Sequence, residues 1–178
     1  SRTIPEGRDN LVVRALELLQ RKSGVAVGAR VTLQKRIPAQ AGLGGGSSDA
    51  AAALTMANHA WGLHWSLDRL MELGAEIGSD VPFFLAPGSK IGRGRGEQLT
   101  RVSSVGRVCA VIAVPPEGLS TADVYRASNV PEVPQNIEPV ITAFRAGSLR
   151  QLKKTLHNRL EEAAVKISPW IDRMREAM

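Results

Sequence analysis

Apolar and polar positions follow two different periods in the first third of the chain. Helical spacing predicts an amphipathic helix that we expect to begin after Asp9, as its N-cap, and to end at Gly24. Its apolar face consists of Leu11, Val12, Ala15, Leu16 and Leu19. From 29 to 37 the side chains alternate instead, which predicts a half-buried strand.

A glycine-rich loop joins this strand to a second predicted helix. It reads Pro38-Ala39-Gln40-Ala41-Gly42-Leu43-Gly44-Gly45-Gly46-Ser47-Ser48-Asp49. We expect Ser47 or Ser48 to cap an alanine-rich helix that packs closely against a sheet and ends at Gly62. Glycines let the backbone turn its N–H groups inward, and a helix N-terminus attracts anions. The order strand, loop, helix therefore predicts a phosphate site.

An acidic residue follows the third predicted helix in an unusual setting. Ser66 caps this helix, which ends near Gly78, and Asp80 comes next, beside an apolar run in which Pro82 interrupts any simple helical continuation. Asp80 is therefore a candidate for chemistry, and the alternative is that it caps the following turn. Two short strands are predicted over 90–93 and 97–102.

The second half of the chain reads as a separate, mostly helical region. We expect a boundary at 103–106 and a buried strand over 108–114. Ser120 with Asp123 resembles a capping box. Further helices are predicted over 124–127, 137–146, 149–157, 158–167 and 169–178. The prediction is an α+β chain with two domains, 1–104 and 105–178.

Composition narrows the class of protein. The chain has 178 residues, 43% of them hydrophobic, which suffices for a globular core. Its formal charge is +6, but the basic residues form scattered pairs and there are only seven aromatic residues, so we expect no nucleic-acid partner. There is neither a membrane-spanning apolar run nor a signal-peptide pattern, and we therefore expect a cytoplasmic protein.

The sequence offers few metal ligands or thiols. Cys109 is the only cysteine and lies in an apolar run, so we expect a buried, inert thiol. The three histidines lack the paired spacing of a zinc site, so that any metal ion should arrive with a nucleotide.

Three other interpretations of the glycine loop can be compared with its residues. A Walker A loop requires a lysine before Ser47, where Gly46 stands, and a dinucleotide fingerprint requires a third glycine where Ser47 stands. A flexible linker would be flanked by polar residues rather than by a strand and an alanine-rich helix. The loop therefore favours a different kind of phosphate site.

The loop resembles the second motif of the superfamily of galactokinase, homoserine kinase, mevalonate kinase and phosphomevalonate kinase. Its triple glycine followed by Ser-Ser-Asp-Ala-Ala is similar to the branch that phosphorylates 4-diphosphocytidyl-2-C-methyl-D-erythritol. Segments 9–15, 35–38, 78–84 and 94–97 resemble that branch in the same order, although Ser79 stands where it usually has alanine. The resemblance covers most of 9–102 and, more loosely, 105–178.

The resemblance implies ATP-dependent phosphorylation of a hydroxyl of that substrate, a step of non-mevalonate isoprenoid biosynthesis. Its fold has an N-terminal domain like domain 2 of ribosomal protein S5 and a ferredoxin-like C-terminal domain. Asp80 would be the catalytic carboxylate, which orients the hydroxyl and accepts its proton. Residues 38–48 would bind the ATP phosphates, and the Ser48 hydroxyl would bind Mg²⁺.

By the same resemblance Asn10 and Lys35 lie near the adenine and ribose, and Tyr125 stacks near the cytosine. For each the sequence leaves an alternative open: an asparagine beside an N-cap, a surface lysine on a strand, and a core tyrosine.

The resemblance also identifies elements that the chain lacks. The catalytic lysine and the cytidine-binding aromatic residues of this branch should precede Ser1, and a third glycine-rich motif should follow Met178. We therefore expect both domains to be incomplete and the 178-residue chain alone to be inactive or nearly so. Sheet edges left unpaired by the missing strands would be covered by a homodimer or by the missing segments themselves. A kinase of the same superfamily with another small alcohol as acceptor, and a nucleotide-binding or nucleic-acid-binding module without catalysis, remain alternatives.

Overall fold

The structure is a computed structural model that describes residues 4–39, 41–103, 108–129, 133 and 135–178. Its contacts divide the chain into two compact units, Ser1–Val102 and Ser103–Met178. Most of the predicted boundary at 103–106 lies outside the described residues, and so does Gln40 of the glycine loop.

The first unit combines helices with one small antiparallel sheet, in agreement with the predicted α+β class. A 3₁₀ turn at Gly7–Asp9 precedes α1 (Leu11–Ser23), α2 (Gly45–Ala60), α3 (Leu67–Ile77), α4 (Val81–Leu85), β1 (Lys90–Arg93) and β2 (Gln98–Arg101). The two strands form a hairpin in which Lys90 lies opposite Arg101. The predictions of α1, α3 and both short strands are confirmed.

The second unit is helical in the residues that the structure describes. Its elements are α5 (Thr121–Ala127), α6 (Glu138–Arg145), α7 (Leu149–Thr155), α8 (Glu161–Ile167) and α9 (Pro169–Ala177). Ser120 caps α5, since its hydroxyl accepts a hydrogen bond from the Asp123 N–H at 3.4 Å. Across the described residues of both units, no helix combines the length and the apolar character needed to cross a membrane.

Helix α2 is the centre of the first unit and packs against α1 and α4. Leu19 of α1 and Leu54 of α2 are fully buried. We expected the alanines of α2 to pack against a sheet, but among the described residues their buried members adjoin helices. Small side chains allow close packing of a helix against another helix as well as against a sheet. The alanine pattern therefore did not distinguish helix–helix from helix–sheet packing.

Two predicted strands are not formed. Residues 29–37 and 108–114 belong to no helix or strand, and Val31 and Val111 are 47% and 82% exposed. A strand exists only where another segment pairs with it, and no described segment does so here. Cys109 is correspondingly exposed, so the prediction of a buried thiol is wrong.

The predicted helix starts also need correction. Asn10, not Asp9, is the N-cap of α1, and its side chain accepts a hydrogen bond from the Val12 N–H at 2.9 Å. Helix α2 begins at Gly45, ahead of the serines that we expected to cap it. Asparagine and aspartate are equally good caps, and only the path of the backbone selects between neighbours.

Candidate functional site

Two left-handed turns shape the glycine loop. The φ angles of Gly42 and Gly44 are +71° and +66°, a backbone conformation that residues other than glycine rarely adopt. Gly44 is the residue immediately before α2. The loop therefore takes a left-handed conformation directly in front of the helix N-terminus.

The N-terminus of α2 has no side-chain cap. Asn10 and Ser66 cap α1 and α3 through side-chain oxygens, whereas no side chain does so for α2. The first N–H groups of a helix have no intrahelical acceptor and carry partial positive charge. Ser48 does not supply the missing cap, because its hydroxyl donates to the Gly45 carbonyl at 2.9 Å. The start of α2 is thus suited to an anion.

Asp80 and the glycine loop line the same cleft. Its volume is 410 Å³, and its lining residues are Gly42, Leu43, Gly44, Asp80, Phe83, Phe84, Gly92 and Gly96. Asp80 occupies the N-cap position of α4 but accepts no capping hydrogen bond, so the capping alternative is wrong. The carboxylate is exposed, and a Cβ on Gly96 would lie 3.5 Å from its Oδ1. The cleft therefore places a carboxylate beside a loop suited to phosphate.

A second cleft, of 190 Å³, is also lined in part by residues of the loop. Its lining residues are Ile4, Pro5, Asp9, Asn10, Leu11, Leu33, Lys35, Ala39, Gly46 and Asp49. Lys35 forms an ion pair with Asp49 of α2, and the Lys35 side chain is only 13% exposed, so the surface-lysine alternative is wrong. A Cβ on Gly45 would lie 3.0 Å from Lys35 Nζ. A positive charge is thus held next to the start of α2.

Asn10 lines this second cleft, although its side-chain amide is already used within the chain. Its Oδ1 accepts the capping hydrogen bond from Val12, and its Nδ2 donates to the Pro5 carbonyl at 2.9 Å. Asn10 is therefore the N-cap of α1 itself, rather than an asparagine beside the N-cap. Any role of Asn10 in nucleotide binding would depend on its position in the lining of the second cleft.

The remaining predicted site residues differ in accessibility. Pro38 and Leu43 are exposed, Ala41 and Ser47 are half-buried, and Gln40 lies outside the described residues. Tyr125, in α5 of the second unit, is 61% exposed, so the core alternative for it is wrong.

Sequence reasoning gave no role to Asp49 or Phe84, which the structure brings to the two clefts. Asp49 was visible as the acidic end of the loop motif, but its partner Lys35 could not be assigned. In the sequence, Phe84 was recognisable only as part of an apolar run. For both, the informative feature is a contact with a residue distant in sequence.

Ser48, the predicted metal ligand, lies in the first turn of α2. Within the described ranges, no group of three or more His, Cys, Asp or Glu side chains is placed to hold one. Mg²⁺ bound to phosphates needs only one or two protein oxygens, and the Ser48 hydroxyl at the start of α2 fits that requirement.

Comparison with known proteins gives a consistent result. Residues 10–88 match the model of the GHMP kinases N terminal domain. Two curated relatives are 4-diphosphocytidyl-2-C-methyl-D-erythritol kinases, from Pelotomaculum thermopropionicum (42% identical, 98% of this chain) and Bacillus pumilus (40% identical, 100% of this chain). The chain spans 62% of the length of each of these two relatives.

A solved structure is also similar. The crystal structure of 4-(cytidine 5'-diphospho)-2C-methyl-D-erythritol kinase matches with a TM-score of 0.71 and 32% sequence identity. The match covers 97% of this chain and 62% of that one. Sequence and fold are therefore both similar to those of kinases that carry this name.

Proposed function

The chain belongs to the GHMP kinase family, and from that premise we propose that the protein phosphorylates a hydroxyl of 4-diphosphocytidyl-2-C-methyl-D-erythritol with ATP. The observation that carries the proposal is the cleft in which Asp80 and the Gly42–Gly44 loop lie together. The names of the relatives support the substrate. This reaction belongs to non-mevalonate isoprenoid biosynthesis.

In the proposed reaction the loop and the α2 N-terminus hold the phosphates. Their backbone N–H groups point toward the charge that develops on the transferred phosphoryl group. Lys35, fixed by Asp49, adds a positive charge near Gly45. Mg²⁺, which the Ser48 hydroxyl would help to hold, offsets phosphate charge when it is bound.

Asp80 is the proposed general base. It orients the acceptor hydroxyl and takes its proton as the oxygen attacks the γ-phosphorus. The bond between the γ-phosphorus and the β,γ-bridging oxygen then breaks, and ADP leaves. Asp80 is suited to this role because it is exposed to the cleft and its side chain makes no capping hydrogen bond.

The finer assignments remain part of the proposal. Loop residues 38–48, with Asn10 and Lys35, form the ATP site, and Tyr125 stacks on the cytosine. We place the protein in the cytoplasm, where its proposed co-substrate ATP is made. A homodimer is proposed because large apolar side chains of 108–114 are exposed.

The full-length protein, incubated with ATP and Mg²⁺, tests the function against a panel of acceptors. We expect ADP and a phosphorylated product with 4-diphosphocytidyl-2-C-methyl-D-erythritol, detected by mass spectrometry. Galactose, homoserine and mevalonate should give at most a few per cent of that rate. Faster turnover of one of these three would transfer the protein to another branch of the family, and nucleotide binding without transfer to any acceptor would indicate a binding module.

Asn10 offers a separate test of the ATP site. Asn10→Asp keeps the capping oxygen but adds a negative charge in the cleft that contains Gly46. We expect ATP binding to weaken several-fold, because like charges at short range cost about 1 kcal/mol. The thermal midpoint should fall only modestly, because the capping oxygen is kept and one exposed hydrogen bond, to the Pro5 carbonyl, is lost. Isothermal titration with ATP and a melting curve measure the two quantities.

The matched control is Asn158→Asp in the second unit. Asn158 Oδ1 accepts from the Leu160 N–H at 3.1 Å, the same two-residue geometry as in Asn10. ATP affinity should be unchanged in this variant. Equal ATP affinity in the wild type and Asn10→Asp would remove Asn10 from the site.

A further inference from the structure

A short helix carries Asp80 and is fixed tightly on one side. Helix α4 follows Asp80 directly, and its first two residues, Val81 and Pro82, are fully buried. The absence of a side chain at Gly74 of α3 makes this possible, since a Cβ there would lie 3.1 Å from both Val81 Cγ1 and Leu85 Cδ1. The backbone that bears Asp80 is thereby held against α3.

On its other side α4 contacts the glycine loop through Phe84. A Cβ on Gly44 would lie 2.5 Å from Phe84 Cζ and 2.7 Å from its Cε2, so the edge of the ring fills the space that a side chain at Gly44 would need. Phe84 is 38% exposed and lines the cleft shared with Asp80. One side chain thus links the loop that precedes α2 to the helix that follows Asp80.

The first residue of the β-hairpin, Lys90, also contacts α4. The rings of Phe83 and Phe84 meet edge to face, with centroids 5.4 Å apart. Lys90 Nζ lies 4.7 Å from the centre of the Phe83 ring and donates hydrogen bonds to the carbonyls of Ala86 and Gly88. Burial, and secondarily Arg101, lower the pKa of Lys90. The C-terminal end of α4 is therefore fixed as well.

We propose that Phe84 is a positioning residue, which sets the separation between the Gly44 turn and the Asp80 carboxylate. This inference rests on the proposed function, in which the loop holds the transferred phosphoryl group and Asp80 the acceptor. Reacting groups must lie within a few tenths of an ångström of their productive geometry, and a displacement of about 1 Å costs roughly 100-fold in rate. Without the ring, the Gly44 turn and α4 lose this contact.

Steady-state kinetics of Phe84→Ala in the full-length protein test the inference. We expect kcat to fall by roughly 10- to 100-fold, while the Kd for ATP stays within about threefold, because the backbone groups that bind phosphate remain. Phe84→Tyr adds a hydroxyl on Cζ, the ring atom that faces Gly44, and should therefore push the loop away from α4 and lower kcat as well. A residue that only stabilised the fold would instead lower the amount of active protein and leave kcat per folded molecule unchanged.

Phe144→Ala is the matched control, since it removes a phenyl ring from α6 of the second unit. It should lower the melting temperature without the selective loss of kcat. Should Phe84→Ala fail to fold, Phe84→Leu, which keeps an apolar side chain but not the ring edge, is expected to show a kcat loss of the same direction.

Crystal structures of wild type and the Phe84 variant that folds provide a readout independent of activity. The distance from Gly44 Cα to Asp80 Cγ should change by more than about 0.5 Å. An unchanged distance, or a kcat within twofold of wild type, would overturn the positioning role. The proposed function fails separately, if the wild type phosphorylates no acceptor.

Discussion

Asp80→Asn in the full-length protein is expected to lower kcat by roughly 10²- to 10⁴-fold, the range attributed to a positioned general base. The amide has nearly the shape of the carboxylate but cannot accept the proton of the acceptor hydroxyl. ATP should bind at least as tightly as in wild type, since a negative charge is removed from the cleft that contains the phosphate loop. Initial rates and equilibrium titration measure these two effects.

Asp68→Asn provides the control for loss of a carboxylate. Asp68 is exposed in the first turn of α3 and lines neither cleft. We expect kcat within twofold of wild type and a stability loss of about 0.5 kcal/mol from the helix dipole. If Asp80→Asn retained more than a tenth of the wild-type kcat, Asp80 would not be the base.

Gly44→Ala is expected to weaken ATP binding by roughly 100-fold, the equivalent of losing two hydrogen bonds to phosphate at about 1.5 kcal/mol each. An alanine here meets two obstacles. Its left-handed φ of +66° costs roughly 1–2 kcal/mol, and its Cβ would lie 2.5 Å from Phe84 Cζ. The loop must move, and its N–H groups then lose their common direction.

Variants of two further glycines distinguish backbone strain from the steric conflict with Phe84. Gly42 has a similar φ of +71° but no atom within 4 Å of its Cβ position, so Gly42→Ala should show the backbone strain without the steric conflict and a smaller loss of affinity. Gly24, the C-cap of α1, shares both properties outside the clefts, and Gly24→Ala should reduce stability alone. Equal ATP affinities for Gly44→Ala and Gly24→Ala would contradict a phosphate site at Gly44.

The helices could be predicted from sequence because their information is local. The apolar face of α1 and the Ser66 cap of α3 lie within a few residues of the hydrogen bonds that they favour. Boundaries were less certain, as Asp9 and Asn10 show, because neighbouring polar residues are interchangeable as caps. The strand predicted over 29–37 failed for the opposite reason, since pairing depends on a segment that its own pattern does not identify.

The residues that carry the proposed chemistry were recognisable without the structure. A run of glycines before one helix, with an aspartate after the next helix, predicted a phosphate loop and a candidate base, and residues 10–88 match the GHMP kinases N terminal domain. Only the folded chain shows that Asp80 lines the same cleft as Gly44, that Lys35 pairs with Asp49, and that Phe84 packs against the loop. Such contacts join residues far apart in the chain, and they are set by the packing of α1, α2 and α4, which local patterns do not encode.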